Sequence, residues 1–169
     1  MKKFVLFTLL LCGCSFGPEK KEKSNKEAFL FILHSANGEV VTDRYNKNNA
    51  TLTLINIDQS VVYFSDRPER HAGTMKLTSF LKIWNTGKGN FHEDPPNAGF
   101  VSFEDAYHRF SELPIELKNP KYDDLHDVVI FDISSLGKPF EFDQHMLEEV
   151  SVFIDYFYDC EEKEKKCFN

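Results

Sequence analysis

The chain has 169 residues, 41 % of them hydrophobic, with a formal charge of −7 and a pI of about 5.4. That length supports one domain with a real core. The acidic balance, without a basic stripe, argues against nucleic acid as a partner, because binding it requires phosphate neutralisation. A mean hydropathy of −0.40 and the lack of a second apolar run exclude a polytopic membrane protein.

The first element is an address. Met1-Lys2-Lys3 is a short basic segment, and Phe4 to Gly13 is apolar. A bilayer span needs roughly 20 residues, so this run is too short to cross and has the length of a signal-peptide core. It ends in Leu11-Cys12-Gly13-Cys14-Ser15. This resembles the lipobox of bacterial lipoproteins, with Cys14 at the lipidated position and Gly13 at the small-residue position. Cys12 fits poorly, because Leu11 would then stand where a small residue belongs. The alternative is an ordinary secretory signal peptide. The resemblance implies a signal peptide over residues 1–13 and a diacylglyceryl thioether plus an N-terminal acyl group on Cys14. More than one acyl chain makes attachment stable. Ser15, where an aspartate would signal retention, implies the outer membrane, facing the periplasm. Cleavage would remove Lys2 and Lys3 and take the formal charge from −7 to −9.

Residues 14–27 then read as the lipidated N-terminus and a tether. Gly17 to Glu27 is charged and carries no large apolar residue, so it cannot bury enough surface to offset ordering. The single domain spans residues 28–169. Ala28 to His34 is an apolar run suited to a buried strand, and Asn37-Gly38 is a strong hairpin-turn signal before a short return strand, Glu39 to Thr42. Thr51 to Ile57 alternates, with Leu52, Leu54 and Asn56 on one side. Asp58 to Ser60 is a turn and Val61 to Phe64 the next strand.

The period then changes. Leu77, Leu81 and Trp84 fall at i, i+4 and i+7, one face of a short helix, with Phe80 four residues before Trp84. Thr78 or Ser79 is the candidate start cap and Gly87 the stop. Gly99 to Phe103 is a strand. Arg109 to Leu117 is another, interrupted by Pro114 and therefore expected at an edge or bulge. Asn119-Pro120 reads as a turn and Val128 to Ile133 as a buried strand. Val150 to Tyr158 is the last strand, with a helix beginning at Met146 as its competitor. Seventeen phenylalanines suit a two-layer β core. The expected fold is mainly β: an immunoglobulin-like β-sandwich of seven to eight short strands with one short helix.

With Cys12 lost in cleavage and Cys14 lipidated, Cys160 and Cys167 remain. In an exported protein they are expected to form a disulfide. Cys-x6-Cys is neither a redox pair nor a usual zinc spacing.

The stretch from Thr51 to Asn97 holds the most distinctive chemistry. Pro68 extends Arg67, Asp66 can close a turn, and Arg67 and Arg70 carry donors suited to a carboxylate or phosphate. A turn fixed by internal ion pairs to Glu93 or Asp94 is the structural alternative. Tyr63-Phe64-Ser65-Asp66-Arg67-Pro68, then Arg70 and Ala72-Gly73, Phe80, Trp84, Phe91 and Asp94-Pro95-Pro96-Asn97-Ala98 together resemble an uncharacterised family of small exported bacterial proteins. The likeness continues through Ile115 to Pro120 and Asp127 to Ile133, about half the chain. It implies a shared fold and transfers no activity.

Ser79-Phe80-Leu81-Lys82 matches the Ser-x-x-Lys nucleophile motif, but its partner motifs are missing. Gly87-Lys88-Gly89 lacks the spacing of a phosphate loop. His34, His71, His92, His108, His126 and His145 are scattered without metal-ligand spacing. No cofactor, metal site or catalytic set is expected. The leading expectation is a membrane-anchored envelope lipoprotein with a non-enzymatic binding domain. Its partners are the membrane, through the lipid, and an envelope protein or small anionic ligand. The candidate binding residues are Asp66, Arg67, Arg70, His71, His92 and Asp94. The alternatives are a small hydrolase or metal-dependent enzyme with a pocket around Asp66, Arg67, Arg70, His71 and His92, and a secreted effector or inhibitor.

Overall fold

A computed structural model describes residues 26–65, 70–86, 90–104 and 109–159. The fold is mainly β, with eight antiparallel strands in one sheet and one short helix. The strands are β1 (Lys26–Thr42), β2 (Asn49–Ile57), β3 (Ser60–Ser65), β4 (Ala72–Lys76), β5 (Asn97–Glu104), β6 (Arg109–Asp123), β7 (Val128–Ser135) and β8 (Gln144–Asp159). Helix α1 covers Leu77–Lys82 and runs into a 3-10 turn over Ile83–Asn85.

Strand pairing makes the two layers of the expected sandwich parts of one continuous sheet. In spatial order the strands run β2-β7-β6-β5-β8-β1, and β1 pairs with β2 again, closing a ring of six. Closure removes the free edges that a sandwich leaves open. Strands β5, β6 and β7 form a meander, and β8 returns beside β5, which is a Greek key. The β3–β4 hairpin lies outside the ring. The edge of β1 that faces away from β8 is shared: Phe29 to Ile32 pair with β3, and Ser35 to Thr42 pair with β2.

Large apolar side chains line the inside of the ring. Phe31, Leu33 and Val40 come from β1, Leu52 and Leu54 from β2, and Phe100 from β5. Ile115 and Leu117 of β6, Val129 and Phe131 of β7, and Val150, Val152 and Ile154 of β8 complete the wall. Helix α1 and the chain after it pack against this interior. Phe80 meets Phe31 at 5.1 Å between ring centroids, and Trp84 meets Phe131 at 5.5 Å and Phe91 at 4.6 Å. Aromatic pairs of this kind contribute about 0.5–1.5 kcal/mol beyond area burial. The β7–β8 connection, residues 136–143, buries Phe140 and is tied to the β1–β2 turn. The Phe140 N–H donates to Lys47 O at 2.9 Å and the Thr42 N–H to Asp143 O at 2.8 Å.

Several local expectations are corrected. Asn37-Gly38 is no turn: β1 runs straight through it, laddered to β2 on one side and β8 on the other. Ladders on both edges outweigh the local turn preference. Gly38 has a different reason to be glycine. A Cβ there would lie 3.0 Å from Thr53 O and 3.1 Å from Val150 Cγ2. The turn falls instead at residues 43–48, where the Asp43 carboxylate accepts from the Tyr45 N–H at 2.7 Å. Such an Asx turn needs no glycine.

Asn119-Pro120 likewise lies within β6, at a register shift between Lys118 and Lys121, with Asn119 at φ 49°. A bulge absorbs the proline that a regular ladder would reject. Pro114 stays in register opposite Gly99. Residues 144–150 are strand, not helix. Lys76, not Thr78 or Ser79, stands at the start of α1, with no side-chain cap. Strand β4 had no counterpart in the sequence reading. Strands β1, β6 and β8 are long, at 17, 15 and 16 residues.

One row explains how long strands wrap a small ring. On β1 the buried positions are Phe29, Phe31, Leu33 and Ser35, then Gly38, Val40 and Thr42, so alternation changes phase. On β2 it changes between Leu54 and Ile57, and on β8 between Leu147 and Val150. Asn56 and Glu149 take φ values of 53° and 48° at these points, and Ala36 lies between them in the ladder. Register is the same on both sides of the row, because the adjoining strands shift phase together. Asn56, which simple alternation puts on the side of Leu52 and Leu54, is therefore exposed, and Ile57 is buried with them. Irregular rows of this kind bend and twist strands.

Candidate functional site

The β3–β4 hairpin positions Arg70 and His71. Tyr63 packs on Phe29 and Phe31, at 6.2 and 6.3 Å between centroids, which holds the hairpin against β1. Its ring lies over Gly73, the residue opposite it in register, and a Cβ on Gly73 would meet Tyr63 Oη at 2.7 Å. The turn closes reciprocally. The Ser65 N–H donates to His71 O at 2.8 Å, and the His71 N–H donates to Ser65 Oγ at 2.9 Å. Arg70 and His71 are exposed on it. Asp66 and Arg67 lie outside the described residues, as do Cys14, Cys160 and Cys167.

His92 and Asp94 sit in another loop, which leads from α1 into β5. Asn90 organises it. Its Oδ1 accepts from the His92 N–H at 3.0 Å and from the Glu93 N–H at 3.1 Å, and its carbonyl accepts from the Asp94 N–H at 3.0 Å. Buried Phe91, wedged between Phe80 and Trp84, anchors the loop. His92 and Asp94 point to solvent. The four described candidates thus fall into two turns, Arg70 and His71 in one and His92 and Asp94 in the other, each with its own local fastening. Among the described residues no group of three or more His, Cys, Asp or Glu is placed to hold a metal ion.

An open depression of about 420 Å3 lies at the β1–β2 turn, lined by Val41, Thr42, Arg44, Lys47, Asp143 and Gln144. Lys47 is ion-paired with Asp143. The hydrogen bond from Lys47, then its charge, holds the Asp143 carboxyl below its ordinary 3.8. A second exposed pair, His126 Nδ1 to Asp123 at 2.8 Å, lowers the Asp123 carboxyl through its hydrogen bond. His34 lies 3.3 Å from Ser151 Oγ and 3.5 Å from Glu149. These are solvated surface pairs, a class that contributes little to stability.

The sequence reading missed a different surface. The run Ala28 to Leu33 is apolar on both faces, yet only Phe29, Phe31 and Leu33 enter the core. Leu30 and Ile32 point outward, half-buried, beside Phe64 and Val62, which are 40 % and 36 % exposed. The signal was present: a strand apolar at every position has a second face to account for.

No protein-family model matches the chain. No curated protein and no solved structure matches it either. No helix among the described residues is long and apolar enough to cross a membrane.

Proposed function

We propose that the protein is an envelope lipoprotein, anchored through Cys14, whose β domain is a non-enzymatic interaction module. The observation that carries this is the N-terminal order: Met1-Lys2-Lys3, the apolar run to Gly13, and Leu11-Cys12-Gly13-Cys14 at its end. The domain's architecture is compatible with it. Among the described residues the ring is lined by large apolar side chains, and the charged groups stand on outer faces and turns. In this reading the mature chain is held at the outer membrane, facing the periplasm, and Cys160 and Cys167 close a disulfide in the tail. The arginine turn bearing Arg67 and Arg70 is the candidate contact for an anionic group on an envelope partner or small ligand.

The intact mass of the mature protein tests the anchor. The expected species begins at Cys14 and carries a diacylglyceryl group and an N-terminal acyl chain. An unmodified chain starting elsewhere would refute it. Recovery of partners from solubilised membranes tests the turn. The Arg67→Ala/Arg70→Ala double variant is expected to lose partners that the wild type retains, and identical partner sets would remove the turn from the recognition surface.

A further inference from the structure

We infer that the outer face of β1 and β3, with Leu30, Ile32, Val62 and Phe64, is a membrane-contact face that rests on the bilayer to which the chain is anchored. This rests on the proposed lipidation of Cys14.

The argument begins with where the chain enters. Lys26 opens β1, and eleven residues separate it from Cys14. Even fully extended, that stretch spans at most about 40 Å. The start of β1 is therefore held within about 40 Å of the lipid. The far end of β1, at Thr42, closes the 17-residue strand and lies at most about 50 Å away.

The apolar face lies at the near end. Leu30 pairs in register with Phe64, and Ile32 with Val62. Their side chains share the outer face because their neighbours Phe29, Phe31 and Tyr63 turn inward onto the core. The rows continue onto β8 with half-buried Phe153 opposite Ile32, and onto β4 with Ala72 and Thr74. Asp155, opposite Leu30, is the one acidic residue among the described positions of these rows. The β3–β4 turn, carrying Arg70, closes beside Phe29, three residues from the entry point. An apolar face flanked by arginine suits the boundary between headgroups and acyl chains. There the apolar part sinks and the guanidinium reaches the phosphates. Covering exposed apolar area is favourable by about 25 cal/mol per Å2. The lipid anchor supplies the proximity that so small a face could not secure alone.

Indole quenching on vesicles tests this directly. The one native tryptophan, Trp84, is 1 % exposed and serves as an internal, shielded reference. Phe64→Trp places a reporter in the face. Tyr45→Trp places one in the β1–β2 turn, where Tyr45 is 98 % exposed. Each lipidated chain is reconstituted in phosphatidylcholine vesicles brominated in the acyl chains. The Phe64→Trp reporter is expected to lose roughly half its emission, as befits a ring 5–10 Å inside the boundary. The Tyr45→Trp reporter should keep its emission, and adding Val62→Asp to Phe64→Trp should restore the lost signal. Equal signals from the two reporters in a chain whose mass confirms acylation would overturn the docking face alone. A mass without acyl groups would overturn the anchor, and this inference with it.

Discussion

Glu149 shows how much a single backbone conformation decides. It sits at φ 48°, between buried Leu147 and Val150, and its conformation carries the change of phase on β8. A side chain in that region costs about 1–2 kcal/mol, part of which glycine would return as lost unfolded-state entropy. Glu149→Gly is therefore expected to stabilise the domain by about 0.5 kcal/mol. Glu149→Val should destabilise it by roughly 1–2 kcal/mol, since a branched side chain is least tolerated there. Urea midpoints read both. Gly73 is the opposite case. Its φ is unremarkable, but Tyr63 occupies the space a Cβ would need and is itself held by Phe29 and Phe31. Gly73→Ala should cost about 1–3 kcal/mol through overpacking. It should also loosen the β3–β4 hairpin, measurable as faster amide exchange at Ser65 and His71.

At the scale of elements, α1 and its following turn are the part most legible from sequence. Spacing of i, i+4 and i+7 placed Leu77, Leu81 and Trp84 on one face, and Leu77, Phe80 and Trp84 are buried. Trp84→Ala should destabilise the domain by about 3–5 kcal/mol. That would appear as a Tm lower by roughly 10 °C, as expected for a domain of this size. The indole N–H of Trp84 is buried without an acceptor among the described residues, so Trp84→Phe should cost much less than Trp84→Ala. Turns were less legible. Asn37-Gly38 and Asn119-Pro120 have strong local signals and yet lie inside strands, because neighbouring strands supply ladder partners that no local pattern reports.

The Lys47–Asp143 pair fastens two connections at one end of the domain and carries a pH dependence with a definite sign. The folded Asp143 carboxyl lies below its ordinary 3.8, held there chiefly by the hydrogen bond from Lys47. Its contribution is thus present above 3.8 and lost as the pH falls through the lowered folded value. The pair is solvent-exposed, so the effect is small. Lys47→Met should slightly lower the urea midpoint at neutral pH, and the difference from wild type should shrink at about pH 3.

For the whole molecule, the deciding feature is closure of the ring through β1 and β2. Among the described residues the large buried side chains of the ring and its cap fall between Phe29 and Ile154. If the proposed disulfide clips only the tail, Cys160→Ser with Cys167→Ser should leave the unfolding midpoint of the domain unchanged to within about 0.5 kcal/mol. A larger loss would show that the tail contributes to the fold.

The amino-acid pattern by itself determined the β character, most strand positions and the helix with its buried face. Each of these follows from periodicity within a few residues, which the chain carries wherever it folds. It also marked the arginine turn and the Pro95-Pro96 loop as distinct. Tertiary structure alone decided three things: that the sheet closes on itself, that Arg70 and His71 stand on a different turn from His92 and Asp94, and which face of the all-apolar β1 enters the core. The first and the third depend on pairing between strands distant in sequence, by more than a hundred positions in the case of Phe29 and Tyr156. The energy of such pairing lies in the partner strand, so no local pattern can express it.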